Sequence, residues 1–478
     1  MRRVKYAQTQ TLATGAIVAA GLCVCVAVNW PGHLSYDSVV QLYEGRIARY
    51  GNWHPPVMSW LLGVGDGVLH GAGLFVLFDA LLLYLSTGAL LVLARRTSWL
   101  TALVALGLVL TPQYLLYPGI VWKDVLFAVA AIGGFVSLAI SSTYWDRLAL
   151  RAILVSTALC LLVLATLARQ NGGVVLPVAA TALGWIACDR AHLSQTRQAV
   201  SYGIGFFVAS LTLCLFAWLA LQLRSTGETG PAGQFRLLQT YDLAGALASR
   251  PGLALDRIDD DDPPLALQMR TSAARLYTPQ RNDTLASSEP LQQALRGADE
   301  RTIPAQWRDF VARQPLLYVK VRWAAFRWLL FMPDPFACRP AFVGVAGPPD
   351  RLRALGIAPR LDARDRDLAG YVLALSGTPL FSHAAFAFLA SGTLVGLLRR
   401  RRPEDIAIAA MLAAALAFTA TFFVISIACD YRYLYFLDAA TLMVLFYLSF
   451  DAADWLGRLR TVARAALGSF RRENQSHK

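Results

Sequence analysis

Charge is what this chain has least of. Asp, Glu, Lys and Arg make up 16% of its 478 residues, against about 25% in soluble domains. Hydrophobic residues supply 56%. Such a composition excludes an ordinary soluble domain and points to a membrane protein. Cysteine is scarce too, with seven residues and neither a CxxC pair nor a Cys/His metal spacing. Cys23, Cys25, Cys160, Cys188, Cys214 and Cys429 lie within or at the ends of apolar runs, and only Cys338 sits in a polar region. A disulfide framework and a zinc site are thereby excluded as organising principles, and no part is expected for cysteine chemistry. No repeat of 20–50 residues is present, which argues against a solenoid. The first apolar run follows Arg2, Arg3 and Lys5 but is not followed by a small-residue cleavage site. It therefore reads as an uncleaved span rather than a signal peptide.

What the chain does have is apolar sequence in lengths that match a bilayer, for which about 20 residues are needed. Ten runs qualify: 10–30, 73–94, 99–117, 123–142, 150–168, 172–188, 200–222, 379–398, 406–428 and 433–450. A shorter piece, 57–69, is interrupted by Gly63, Gly65, Asp66 and Gly67, and reads as a helix lying in the interface. The expected fold is an all-α polytopic membrane protein of about ten transmembrane helices. The net charge of +13 would suggest nucleic acid in a soluble protein. Here the basic residues sort by side of the membrane, and nucleic acid is not an expected partner. With the N-terminus inside, the inner segments hold 19 Lys and Arg. The short outer loops hold five: Arg46, Arg49, Lys123, Arg169 and Arg432. Both termini are expected inside.

The organisation that follows has four parts. Residues 1–223 form an N-terminal membrane module whose first outer loop is 31–72. An extracytoplasmic insert spans 224–378, the last transmembrane helices occupy 379–450, and a basic cytoplasmic tail covers 451–478. The insert contains four consecutive acids, Asp259 to Asp262, in "DRIDDDDPPLA". A solvated loop is the favoured reading over a calcium cage, which needs ordered oxygen ligands.

The polar residues at span ends that are not inner anchors all fall on the outer side. They are Asp37, Gln41, Glu44 and His54 in the first loop, Lys123 and Asp124 opening the fourth span, and Arg169 and Asn171 closing the fifth. "CDYRY" at 429–433 brings Arg432 between the last two spans. Charge near lipid is costly, so such residues are functional candidates. Val39, Val40, Tyr43, Ile47 and Tyr50 define one helical face, while Asp37, Gln41 and Glu44 share another. Asp37 is equally readable as a first-turn acid compensating the helix dipole, with Ser35 as N-cap. Pro55 forces His54 out of the helical region just before a helix start, a position suited to phosphate. Lys123, Arg169 and Arg432 could each be a snorkelling anchor; together beside the same loops they suggest a phosphate clamp. Asp79 and Asp438 lie inside spans and need partners, Arg432 being a candidate for Asp438.

"SYDSVVQL…WHPPVMSWLLG", "VWKDVLFA", "ARQNG" and "DYRYLYF" resemble the GT-C superfamily of polytopic glycosyltransferases. The resemblance is to protein-mannosyltransferase-like and aminoarabinose-transferase-like bacterial members. It implies a sugar on a polyprenyl phosphate as donor, and a glycan, lipid or protein as acceptor. It also implies a first-loop acid, here Asp37, that activates the acceptor hydroxyl or helps hold a metal. Many relatives carry paired acids there, whereas Asp37 is followed by Ser38; a divalent metal is left open and no metal ligand is assigned. In this reading Asp37 and His54 are catalytic, and Gln41, Glu44, Lys123, Asp124, Arg169, Asn171 and Arg432 bind substrate. The competing readings are a polyprenyl-linked polysaccharide polymerase or ligase, and a secondary transporter or lipid flippase. Abundant Ala, Leu and Arg with few Lys suggest a GC-rich bacterial genome, and hence a plasma membrane with an outward-facing site.

Overall fold

Long apolar runs without water must satisfy their own backbone groups, and the helix is how a single segment does so. The computed structural model describes residues 2–51, 53–94, 97–190, 196–225 and 231–451, and among these no strand forms, only isolated bridges. The membrane module comprises α1 (Arg2–Asn29), α2 (Tyr36–Ile47), α3 (Pro56–Val68), α4 (Gly73–Ala89), α5 (Trp99–Val109), α6 (Lys123–Thr143), α7 (Leu148–Ala168), α8 (Val175–Arg190) and α9 (Thr196–Gln222). The principal insert helices are α10 (Pro231–Ser249), α11 (Thr302–Arg313) and α12 (Pro315–Phe331), and α13 (His383–Arg400), α14 (Pro403–Ile425) and α15 (Tyr435–Ser449) close the chain. The protein is an all-α polytopic membrane protein.

Ten apolar runs do not become ten clear spans. Among the described residues seven helices are long and apolar enough to cross a membrane, and a bent pair makes an eighth. That pair, Trp99–Val109 and Pro112–Gly119, turns by 67° where Pro112 removes a backbone donor and its ring obstructs the preceding turn. α13 carries His383, Arg399 and Arg400 in 18 residues, and α15 is only 15 residues long. Both pack beside α14, but neither is a span by length and composition. The tail beyond 451 lies outside the described residues.

α6 is the axis of the bundle, buried along its whole length among α4, α7, α14 and α15. The loops at one end of the bundle, before α6, after α7 and before α15, meet the first loop and the insert. The first loop is stitched down: His33 pairs with Ile120 and Leu34 with Val345. His33 is buried, accepts from Gly344 N at 2.9 Å and bonds Asn29 Oδ1 at 3.0 Å. α2 and α3 then cross in backbone contact at Gly45 and Gly63, where a methyl on either glycine would overlap the other helix.

The insert is not one packing unit. Its first part has its own core, built on Tyr241, Leu247, Ile258, Met269 and Phe310. From Leu329 onward its buried residues belong to the membrane core. The acidic run is taken up in folding: Asp259 meets Arg270 at 2.7 Å, Asp261 accepts from Thr302, and Asp262 caps the next helix through Leu265 N. Cysteine does contribute, contrary to expectation, since Cys338 and Cys429 form a disulfide across 91 residues. One partner lies in the insert and the other beside a span end, a pairing that spacing alone does not reveal.

Candidate functional site

Asp37 lies in the first turn of α2. Ser35 occupies the N-cap position without capping; its hydroxyl instead accepts from Trp122 Nε1 and contacts Ser38. This leaves the start of α2 fixed by the loop that leads into α6. Pro56 begins α3 with Pro55 at its N-cap, and His54 stands just before them. Asp37 and His54 therefore stand at the mouths of two helices that touch, and the His54 Nε2 lies 3.7 Å from Asp37 Oδ1.

The other groups come from the bundle. Lys123, first residue of α6, has its Nζ 3.2 Å from His54 Nδ1. An ammonium only donates, so Nδ1 accepts and the Nε2 proton faces Asp37. Arg432 donates to Asp37 Oδ2 at 3.1 Å, lies 3.3 Å from Asp430 and 3.9 Å from Asp124. Asp124 is paired with Arg169. Asn171 accepts from Arg169 Nε at 3.3 Å and donates to Thr421 at 2.8 Å, so it orients Arg169. The Arg169 guanidinium also lies over the rings of Phe422 and Tyr433, at 5.2 and 5.4 Å, and that of Arg432 over Trp122 at 5.0 Å, where cation–π attraction restricts both.

Burial alone would raise the Asp37 carboxyl, but His54 and Arg432 beside it hold it well below the usual carboxylate range. Burial, reinforced by Lys123, pushes His54 below its ordinary value despite Asp37. At neutral pH the pair is thus a carboxylate beside a neutral imidazole.

Asp37, His54, Lys123, Arg169 and Arg432 line one cavity of about 420 Å³, together with Phe235, Leu238, Phe422, Ile427 and Tyr433. A second cavity of about 280 Å³ shares His54, Arg169, Gln170 and Gln234 with it, and its wall also includes Val57, Leu167, Trp218 and Leu221 together with the polar Thr166 and Gln222. Gln170 and Gln234 bond to each other at 3.3 Å on the shared wall.

Two residues expected to bind substrate point elsewhere. The Glu44 carboxylate accepts from Ser59 Oγ at 2.9 Å and Gly51 N at 3.1 Å, and burial raises it above its ordinary value. Gln41 is buried at 2% exposure and lines neither cavity. The face shared by Asp37, Gln41 and Glu44 does not converge on one point, because α2 is covered by α3 on that side. Asp438 meets His383 Nδ1 at 2.9 Å, not Arg432; Asp79 is fully buried, and neither carboxylate oxygen has a hydrogen-bond partner among the described residues.

Other residues at the site carry no local signal in the sequence. Arg281 of the insert meets Asp430 at 2.6 Å, so Asp430 is held between Arg281 and Arg432. The segment bearing them pairs backbone to backbone with the insert, through Arg281 and Ala428 and through Cys429 N to Gln280 O at 2.9 Å. Only the folded chain brings 281 and 430 together.

A metal does not fit this donor set. Asp37 has an imidazole and a guanidinium as neighbours, and among the described residues no three His, Cys, Asp or Glu groups gather to share an ion.

No family model matches the chain, and no curated protein does. One solved structure is similar over 94% of the chain, at 13% identity and a TM-score of 0.40. It is the archaeal oligosaccharyltransferase AglB from Archaeoglobus fulgidus, in complex with an inhibitory peptide and a dolichol-phosphate. The chain spans about half, 51%, of that protein's length.

Proposed function

We propose that this protein transfers a sugar from a polyprenyl-phosphate carrier to an acceptor hydroxyl at the outer face of a bacterial plasma membrane. The observation that carries this reading is the carboxylate of Asp37, facing His54 and Arg432 on the wall of a cavity that Lys123 and Arg169 also line. Glycosyl transfer of this kind needs a base at the acceptor and cations at the departing phosphate. The acceptor oxygen forms a bond to the anomeric carbon, its proton passes to Asp37, and the bond from that carbon to the phosphate oxygen breaks. The charge released on the carrier phosphate is met by Lys123, Arg169 and Arg432.

A carboxylate held by a guanidinium is a weak base. The donor phosphate competes with Asp37 for Arg432, so donor binding itself frees Asp37 to accept a proton. His54, with its Nε2 proton towards Asp37, then keeps the carboxylate oriented. The second cavity, where Pro55, Pro56, Val57, Leu167, Trp218 and Leu221 stand beside Thr166, Gln170, Gln222 and Gln234, has apolar wall enough for the first isoprene units of the carrier. The outward orientation is supported by the sorting of Arg and Lys, and by the disulfide, which belongs in an oxidising compartment.

Mass spectrometry of lipids co-purifying with the wild type, Arg169→Ala and Arg432→Ala tests this. A polyprenyl phosphate or its glycosylated form, enriched in wild type and reduced at least tenfold in Arg432→Ala, is the expected result. A glycosylated diphosphate instead points to the polymerase. Absence of any carrier lipid in gentle detergent overturns the reading in favour of a transporter.

A further inference from the structure

The insert contains a helix whose outward face is wrong for water. α12 reads PLLYVKVRWAAFRWLLF, with no acidic residue in its 17 positions. Its exposed residues follow helical spacing: Leu316 at 85%, Val319 at 48%, Trp323 at 47% and Phe331 at 49%, with Lys320 and Arg327 within the same stripe. These long side chains are able to carry their charge from an apolar face to head groups. A helix on the aqueous face of a soluble domain turns polar residues outward. Large apolar groups, a Trp and only cationic charges are instead the pattern of a helix lying in a membrane interface.

The position of α12 agrees with its composition. Its first half contributes Val321 and Ala325 to the insert's own core, and its second half contributes Leu329 to the membrane core. It rests on α14, a span, near that helix's end: Phe326 meets Phe423 at 5.9 Å. Arg322, fully buried, donates to Val424 O and Ser426 O at 2.8 and 3.0 Å, covering the last carbonyls of α14. Val424, whose carbonyl Arg322 holds, is itself 47% exposed, so apolar side chains stand open on both α12 and α14 where the two meet.

We propose that α12 is a lipid-embedded anchor, its Leu316, Val319, Trp323 and Phe331 face seated in the acyl region and head groups of the leaflet at the insert end. Lys320 and Arg327 meet anionic head groups there. The insert is then fastened to the membrane surface from its own side, and the wall it adds to the cavity, from Phe235 to Leu238, keeps a constant height above the lipid.

The test uses the full chain in nanodiscs of phosphatidylethanolamine and phosphatidylglycerol, with a benzophenone amino acid at position 323, at 316 or, as an aqueous control, at the exposed Asp260. Irradiation and mass spectrometry should give lipid adducts at 323 and 316 at least tenfold above those at 260. Equal yields at all three positions, or adducts to a second copy of the chain, overturn the proposal. Position 319 serves the same purpose if the protein with the probe at 323 does not fold.

Discussion

Two Asp–Arg pairs in this molecule look alike as pairs and differ in everything around them. Asp242 and Arg322, in the insert, are both at 0% side-chain exposure. Asp242 also accepts from Trp307 Nε1, and Arg322 donates to the carbonyls of Val424 and Ser426, while Arg322 Nε has no hydrogen-bond partner among the described residues. Asp37 and Arg432 are 34% and 15% exposed and face a cavity, and Arg432 is divided among Asp37, Asp124 and Asp430. The first pair is closed to solvent and each charge has the other as its counter-ion, as structure requires of buried charge. The second is shared and open, which leaves it able to exchange partners. Buried charge by itself is no sign of function; a contested partner set beside a cavity is the reason for proposing one here.

The largest expected effect breaks the closed pair. Arg322→Ala leaves Asp242 buried without its counter-charge, and should cost about 3–5 kcal/mol, read as a large drop in the unfolding midpoint of the detergent-solubilised protein. Replacing both members with apolar residues, Arg322→Met with Asp242→Leu, should recover most of that loss. Recovery would not be expected at the open pair. There, Asp37→Asn releases Arg432 to a phosphate, so binding of a short-chain polyprenyl phosphate should tighten several-fold, about 1 kcal/mol. Unchanged or weaker binding in a titration would remove the exchange mechanism.

A smaller effect concerns pH. Burial and Lys123 hold His54 below its ordinary value, so below about pH 6.5 the unfolded chain binds a proton that the folded chain refuses. Stability should therefore fall as pH drops below about 6.5 and be fully regained above it. Unfolding midpoints from pH 5 to 7.5 should show a shallower slope in His54→Gln. The smallest effect is at Glu44: Glu44→Gln can keep its bonds to Ser59 and Gly51, so carrier lipid content and stability should both stay near wild type. A tenfold loss of lipid would return Glu44 to the binding machinery.

Much of the candidate site's clustering is legible in the sequence because cost makes it conspicuous. Asp37, His54, Lys123, Arg169 and Arg432 stand at ends of apolar runs where anchors are least expected, and sidedness groups them. The helical face of Asp37, Gln41 and Glu44 was equally visible, yet it misleads, since spacing along α2 says nothing of α3 lying across it. The disulfide, the Arg281–Asp430 contact and the His383–Asp438 pair depend on residues 91, 149 and 55 positions apart. No local pattern carries them. Ten apolar runs give seven or eight helices of span length among the described residues for a related reason: apolar content is legible in a sequence, while the bends and ends that set a helix's length are not. α12 shows the converse, a helix with lipid-facing composition inside a segment read as extracytoplasmic.

The contact of Gly45 with Gly63 has a mechanical meaning. With nothing but two hydrogens between their backbones, α2 and α3 behave as one plate, and the acid at the edge of one helix cannot drift from the imidazole at the edge of the other. The separation of Asp37 and His54 is thus gauged by a hinge point that has no chemistry of its own. An alanine at either glycine would act as a shim, prising the plate open and spoiling an alignment roughly two helical turns away, without touching a single reactive atom.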